Sequence, residues 1–139
     1  MQVLLYSRVS TEDQADAGTI EVQEHAMLAY CAKHGHEVVD LVRDDGVSGT
    51  VPFHDRPGGS KVIAMAEAQR ARKVRDFDAL LLNTVDRLAR NAFISGWAEH
   101  QLTQLKVPIV FVNGSFEDTP EGNLSKGVLA HISQYEREV

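Results

Sequence analysis

The sequence predicts one α/β domain: a mostly parallel central sheet of four to five strands, flanked by helices on both faces. Three observations carry this. Short apolar runs of strand length alternate with longer stretches of helical spacing, the order that parallel pairing through crossover helices requires. A chain of 139 residues with 43% hydrophobic content suits one core and would strain two. Polar segments follow each of the first three apolar runs, and in parallel sheets the loops beyond the strand ends are where ligands collect.

Val3-Leu4-Leu5-Tyr6 reads as a buried first strand running into the polar segment Ser7 to Gln14. From about Thr19 to His34, Ile20, Met27, Tyr30 and Cys31 recur at helical spacing, and Gly35 stands where a helix end favours a left-handed residue. Glu37 to Val42 is rich in strand formers and leads into a long polar stretch through Pro52, Pro57 and Gly58-Gly59, expected to be an irregular, mobile loop. Lys61 to about Val74 is rich in alanine, glutamate and arginine and predicts a helix; Ala79 to Leu82 predicts a third strand ending at Asn83 to Arg90. A helix over roughly Phe93 to Leu105 and a strand over Val107 to Val112 follow. Leu124, Val128, Ile132, Tyr135 and Val139 form an apolar stripe at spacings of 4, 4, 3 and 4, predicting a helix from about residue 123 that runs on past Val139.

Composition narrows the function classes. No run approaches the roughly 20 apolar residues of a membrane helix, and the start lacks the features of a signal peptide, so a cytoplasmic protein without membrane contact is expected. One cysteine, Cys31, rules out an internal disulfide framework, and the six histidines show no HExxH spacing. Neither GxSxG nor a P-loop occurs. The net charge of −6 is unusual for a free-standing DNA binder, which needs a basic surplus to neutralise phosphates.

The three polar loops carry Arg8, Ser10 and Gln14, then Asp45, Ser48 and Arg56, then Asp86, Arg87 and Arg90. Guanidinium matches phosphate oxygens with paired hydrogen bonds and keeps its charge, so clustered arginines suit a crowded anionic phosphoryl transition state better than acyl chemistry. A serine hydroxyl beside such charge can act as nucleophile. A phosphoserine diester would conserve the energy of a cut backbone bond, which favours cutting and rejoining over hydrolysis.

These residues fall in a known order. Tyr6-x-Arg8-Val9-Ser10-Thr11-x-x-Gln14, Gln23, Asp45-Gly46-x-Ser48-Gly49, Arg56-Pro57, Asp86-Arg87-Leu88-x-Arg90, Asp118-Thr119-x-x-Gly122 and Tyr135-Glu136-Arg137-Glu138 together resemble the catalytic domain of serine site-specific recombinases, the resolvase and invertase superfamily. The likeness spans essentially the whole chain, and the long loop before Arg56 is more similar to the large integrase and transposase type. It implies a resolvase-like fold over residues 1–139, with the last helix at a subunit interface and a basic DNA-binding region downstream. It implies Ser10 as nucleophile, with Arg8, Arg87 and Arg90 on the scissile phosphate and Arg56 as a further contact. Asp86, Gln14 and Gln23 would position these groups. Tyr6, Asp45 and Ser48 match positions near the site, and Glu136 and Arg137 lie on the interface helix. The implied partners are double-stranded DNA at a crossover site and further copies of the chain, as homodimer and synaptic homotetramer; no cofactor or metal is implied.

Other readings stand beside these. Asp86 can simply cap a helix. The basic run Arg70 to Arg75 reads as a solvated helix end that complements its dipole. Adjacent Asp44 and Asp45 suggest a magnesium pair, but neighbours on a strand point to opposite faces. As a whole, a non-catalytic oligomerisation module or a small-molecule phosphatase on the same sheet are the competing functions.

Overall fold

A computed structural model of the chain describes residues 1–11 and 19–114. Four strands, β1 (Gln2–Val9), β2 (Glu37–Asp45), β3 (Ala79–Leu82) and β4 (Ile109–Phe111), make a wholly parallel sheet in the order β2-β1-β3-β4. The helices are α1 (Ile20–His34), α2 (Pro57–Arg72), the single turn α3 (Val85–Leu88) and α4 (Ala92–Gln104), with a 3-10 turn at Phe53–Asp55. The chain steps from β1 to β2 in one direction, then back across β1 to β3 and β4. With crossovers of one hand, that reversal puts the first helix on one face and the later ones on the other.

The two apolar clusters follow this division. Leu4, Tyr6, Leu80 and Leu82 pack with Val62 and Ala66 of α2 and with Ala98 and Leu102 of α4. Val3, Leu5, Ala79 and Leu81 on the other face meet Met27 and Cys31 of α1. Seven consecutive residues of β1, from Val3 to Val9, are buried, as a strand covered on both faces requires. Helix α1 starts at the Thr19 hydroxyl, which accepts from the Val22 amide, and ends at Gly35 with φ 71°.

Tertiary contacts lengthen β1, β2 and the start of α2 beyond what apolar spacing predicts, while β4 is shorter than the strand expected over Val107 to Val112. Apolar residues alone end the first strand at Tyr6, whereas β1 runs to Val9 because its backbone goes on pairing with β2 as far as Asp45 and Arg8 finds buried partners. The register between β1 and β2 slips by one residue between Val3 and Leu4, so that Val3 pairs with Val38 but Leu4 with Asp40. The slip changes the facing of everything after it. Val42 and Asp44 consequently share a face with Tyr6, and Asp44 is buried while Asp45 is exposed.

Helix α2 begins at Pro57, four residues before the expected Lys61, since the Asp44 carboxylate accepts from the amides of Gly58 (2.6 Å) and Gly59 (3.0 Å). Gly59 sits so close to the 3-10 turn that a Cβ there would stand 1.9 Å from the Phe53 carbonyl oxygen. The basic run ends α2, with Arg70 and Arg72 in its last turn and Lys73 closing it in a left-handed conformation. Gln14, Glu136, Arg137 and the helix expected from about residue 123 lie outside the described residues.

Candidate active site

The reversal of strand order lies between β1 and β3, where a parallel sheet opens a crevice at its carboxyl edge. There a cavity of about 360 Å³ is lined by Ser10, Thr11, Gly46, Ser48, Gly49, Thr50 and Arg90. Ser10 directly follows β1, Ser48 and Thr50 come from the loop after β2, and Arg90 from the segment after β3, so three chain segments meet there. Arg90 also borders a neighbouring cavity with Asp86 and Ser95.

Arg8 stands behind this wall, fully buried. Its guanidinium donates to the carbonyls of Val47 (2.9 Å), Asp86 (2.8 Å) and Arg87 (3.1 Å), tying the loops after β2 and β3 to the end of β1. The backbone of Arg8 is held from the α1 side: the Gln23 side-chain oxygen accepts its N–H at 3.2 Å, and the Gln23 amide donates to its carbonyl at 3.0 Å. Since β3 pairs with β1 only as far as Leu5, this amide supplies the partner a further strand residue would have offered.

A second buried group supports the same loop. The Tyr6 hydroxyl donates to Asp44 at 2.6 Å and accepts from Arg56 at 3.2 Å, and Arg56 donates onward to the carbonyls of Val51 (2.9 Å) and Gly49 (3.4 Å). Arg56 also lies over the Phe53 ring. Burial, opposed by the Arg56 charge and reinforced by Asp44, pushes the Tyr6 phenol far above its ordinary value, so it stays a neutral donor. The stretch from Gly46 to Val51, expected to be a mobile loop, is thus pinned at three carbonyls by two buried arginines. Gly49 is wedged among them: a Cβ there would lie 2.5 Å from Arg90 Cγ and 2.9 Å from both Arg8 Nη2 and the Arg90 amide.

Asp86 and Arg87 occupy α3, with the Thr84 hydroxyl donating to Asp86. Thr84 and Asn91 hold the N-cap positions of α3 and α4, so capping is not the task of Asp86. Arg87 reaches back to the Arg8 carbonyl at 3.5 Å. Ser10, Ser48 and Arg90 therefore share one cavity; Arg8, Gln23, Asp86 and Arg87 form its support, with Tyr6 and Arg56 deeper still. Asp45 is exposed at the end of β2 and is not among the lining residues. The structure adds two residues that the sequence reading did not place at the site. One is Asp44, whose facing depends on the register slip; the other is Thr50, whose only signal is its place two residues beyond Ser48.

A serine and an arginine thus line one cavity at the switch point of a parallel α/β domain, with further arginines bracing the loops around them. Residues 3–139 match the family described as "Resolvase, N terminal domain". The N-terminal catalytic domain of TP901-1 integrase superposes with a TM-score of 0.71 at 26% identity, covering 99% of this chain and 98% of that one. A resolvase family site-specific recombinase from Streptococcus pneumoniae gives 0.63 at 26% identity over 99% of this chain and 89% of its own. A protein of Bacillus subtilis (strain 168), named as a candidate DNA recombinase, is 30% identical over 136 residues, 97% of this chain but 25% of that protein. The serine recombinase PinQ of Escherichia coli (strain K12) is 24% identical over 99% of this chain and 64% of its own length. The chain thus spans only part of these two relatives, and it belongs to the serine recombinase catalytic-domain family.

Proposed function

We propose that the chain is the catalytic domain of a site-specific DNA recombinase and that Ser10 is its nucleophile. The Ser10 oxygen bonds to a backbone phosphorus while the bond from that phosphorus to the 3′ oxygen breaks. The serine loses its proton and the departing 3′ oxygen gains one. One phosphodiester replaces another, so the 3′ hydroxyl of an exchanged end can attack the 5′-phosphoserine and restore the backbone without ATP.

Ser10 and Arg90 lining one cavity is the observation that carries this reading. Arg90 meets the phosphate, and Arg8 and Arg87 add positive charge from the wall, where charge developing on phosphoryl oxygens is stabilised by groups that need not reorganise. Gln23 and Asp86 hold these groups in register. Exchange of ends requires two duplexes, so the working form is a homodimer that pairs into a homotetramer on DNA, with a downstream region supplying most of the DNA affinity because the acidic domain alone binds DNA poorly.

The test offers DNA nicked near the crossover to the chain carried in its full-length protein, followed by mass spectrometry of the Ser10 peptide. A DNA adduct on Ser10 that disappears in Ser10→Ala, with the urea midpoint unchanged, is expected. DNA binding without any adduct would favour a non-catalytic assembly module instead.

A further inference from the structure

The cavity holds one feature that the arginines and Ser10 leave unexplained. The Ser48 and Thr50 hydroxyl oxygens lie 2.8 Å apart, and the Thr50 amide donates to the Ser48 oxygen at 3.2 Å. Both side chains are exposed, both line the cavity with Ser10 and Arg90, and neither has another hydrogen-bond partner among the described residues.

Proton counting gives the pair a fixed polarity. Two hydroxyls own two protons, and one of these lies between the two oxygens. If Thr50 donates to Ser48, the Ser48 oxygen has both acceptor positions filled, by the Thr50 amide and the Thr50 hydroxyl, and its own proton must be donated elsewhere. If Ser48 donates to Thr50, the Thr50 proton is left to donate. Either way one hydroxyl donor remains for an acceptor from outside. A hydrogen bond from a hydroxyl to a charged oxygen is about twice as strong as one to a neutral acceptor, so its fitting partner in a cavity shared with Arg90 is an anionic oxygen.

We infer that Ser48 and Thr50 act as one hydrogen-bond donor to a non-bridging oxygen of the phosphate attacked by Ser10, Thr50 being a substrate-contacting residue in its own right. The inference rests on the reading of this cavity as the scissile-phosphate site. The pairing makes the donor degenerate: deleting one hydroxyl leaves the other to take over, and deleting both leaves none. A residue that merely holds the loop behaves otherwise, because only Ser48 accepts the Thr50 amide.

The experiment measures single-turnover adduct formation on saturating nicked DNA for Ser48→Ala, Thr50→Val, Thr50→Ser and the Ser48→Ala/Thr50→Val double variant, with urea unfolding of each. Each deletion alone is expected to slow the step about two- to fivefold and the double about thirtyfold or more, the scale of a lost hydrogen bond to a charged oxygen, with Thr50→Ser near wild type. A double variant no slower than Ser48→Ala, with Thr50→Val at the wild-type rate, would overturn the donor role. Should wild type form no adduct, the Ser10 reading fails separately, and inorganic phosphate titrated against the amide resonances of residues 46–50 then decides. Shifts present in wild type and absent in the double variant uphold the donor, and equal shifts in both overturn it.

Discussion

At the scale of single residues, the cavity depends on a loop that is held from behind. Gly49 has no room for a side chain between Arg8 and Arg90, and two of the three nearest atoms, the Arg90 Cγ and amide nitrogen, are not the free end of a flexible chain. Gly49→Ala is therefore expected to displace Arg90, lowering adduct formation at least about tenfold and costing about 1–3 kcal/mol as overpacking does. Adduct kinetics and urea unfolding of the same variant check both. Tyr6 tests the deeper network. Its raised phenol means the folded state holds the proton more tightly than the unfolded chain, so its contribution is complete below the ordinary tyrosine value and falls away as pH rises past about 10. Tyr6→Phe should cost about 1–3 kcal/mol at neutral pH and lose less stability than wild type between pH 8 and 11, measured by urea unfolding at both. Equal losses in the two proteins would refute this. Residue types in order were enough to single out Ser10, Arg90 and Ser48 for the cavity. They were not enough to separate Arg90, which faces it, from Arg8 and Arg56, which face inward, because the partners that hold a buried guanidinium, the Val47 and Asp86 carbonyls for Arg8 and the Tyr6 hydroxyl for Arg56, come from distant parts of the chain.

At the scale of elements, the alternation of strand and helix was legible because β1, β3 and β4 centre on apolar runs, β2 is rich in strand formers, and α1 and α4 end near clear signals: a threonine N-cap and a left-handed glycine for α1, and an asparagine N-cap for α4. The start of α2 was not. Its first turn, Pro57-Gly58-Gly59-Ser60, has poor helix propensity and relies on a carboxylate from β2, a residue whose facing is decided by a one-residue register slip that leaves no mark in the sequence. Asp44→Asn should expose that dependence. It leaves one oxygen where the carboxylate offered two, so that an NH2 group faces the amide of Gly58 or Gly59, and it removes the buried charge in one step. A loss of about 3 kcal/mol or more is expected, as for breaking one side of a buried charged group, together with a lower helical signal at 222 nm and a fall in adduct formation as the Gly49 loop loosens. A variant with wild-type stability would mean that α2 starts on its own propensity.

At the scale of the whole molecule, the decisive quantity is charge and where it sits. The chain carries a net −6, yet the cavity at the carboxyl edge of the sheet is served by Arg8, Arg87 and Arg90. The other basic concentration, Arg70 to Arg75, closes α2 at the opposite edge, where Arg72 is paired with Asp76 and Arg75 lies 4.0 Å from Asp78. If DNA meets only the cavity, about two phosphates are neutralised, and the logarithm of the binding constant should fall with the logarithm of salt at a slope near −2. Fluorescence anisotropy of a nicked duplex between 20 and 200 mM salt measures this on the chain itself. Arg90→Ala should make the slope shallower by about one, while substitutions at Arg70 and Lys73 leave it unchanged. A slope of about −6 would instead require a phosphate-binding surface well beyond the cavity, and the run at the end of α2 would then have to be read as a DNA contact rather than a solvated helix end.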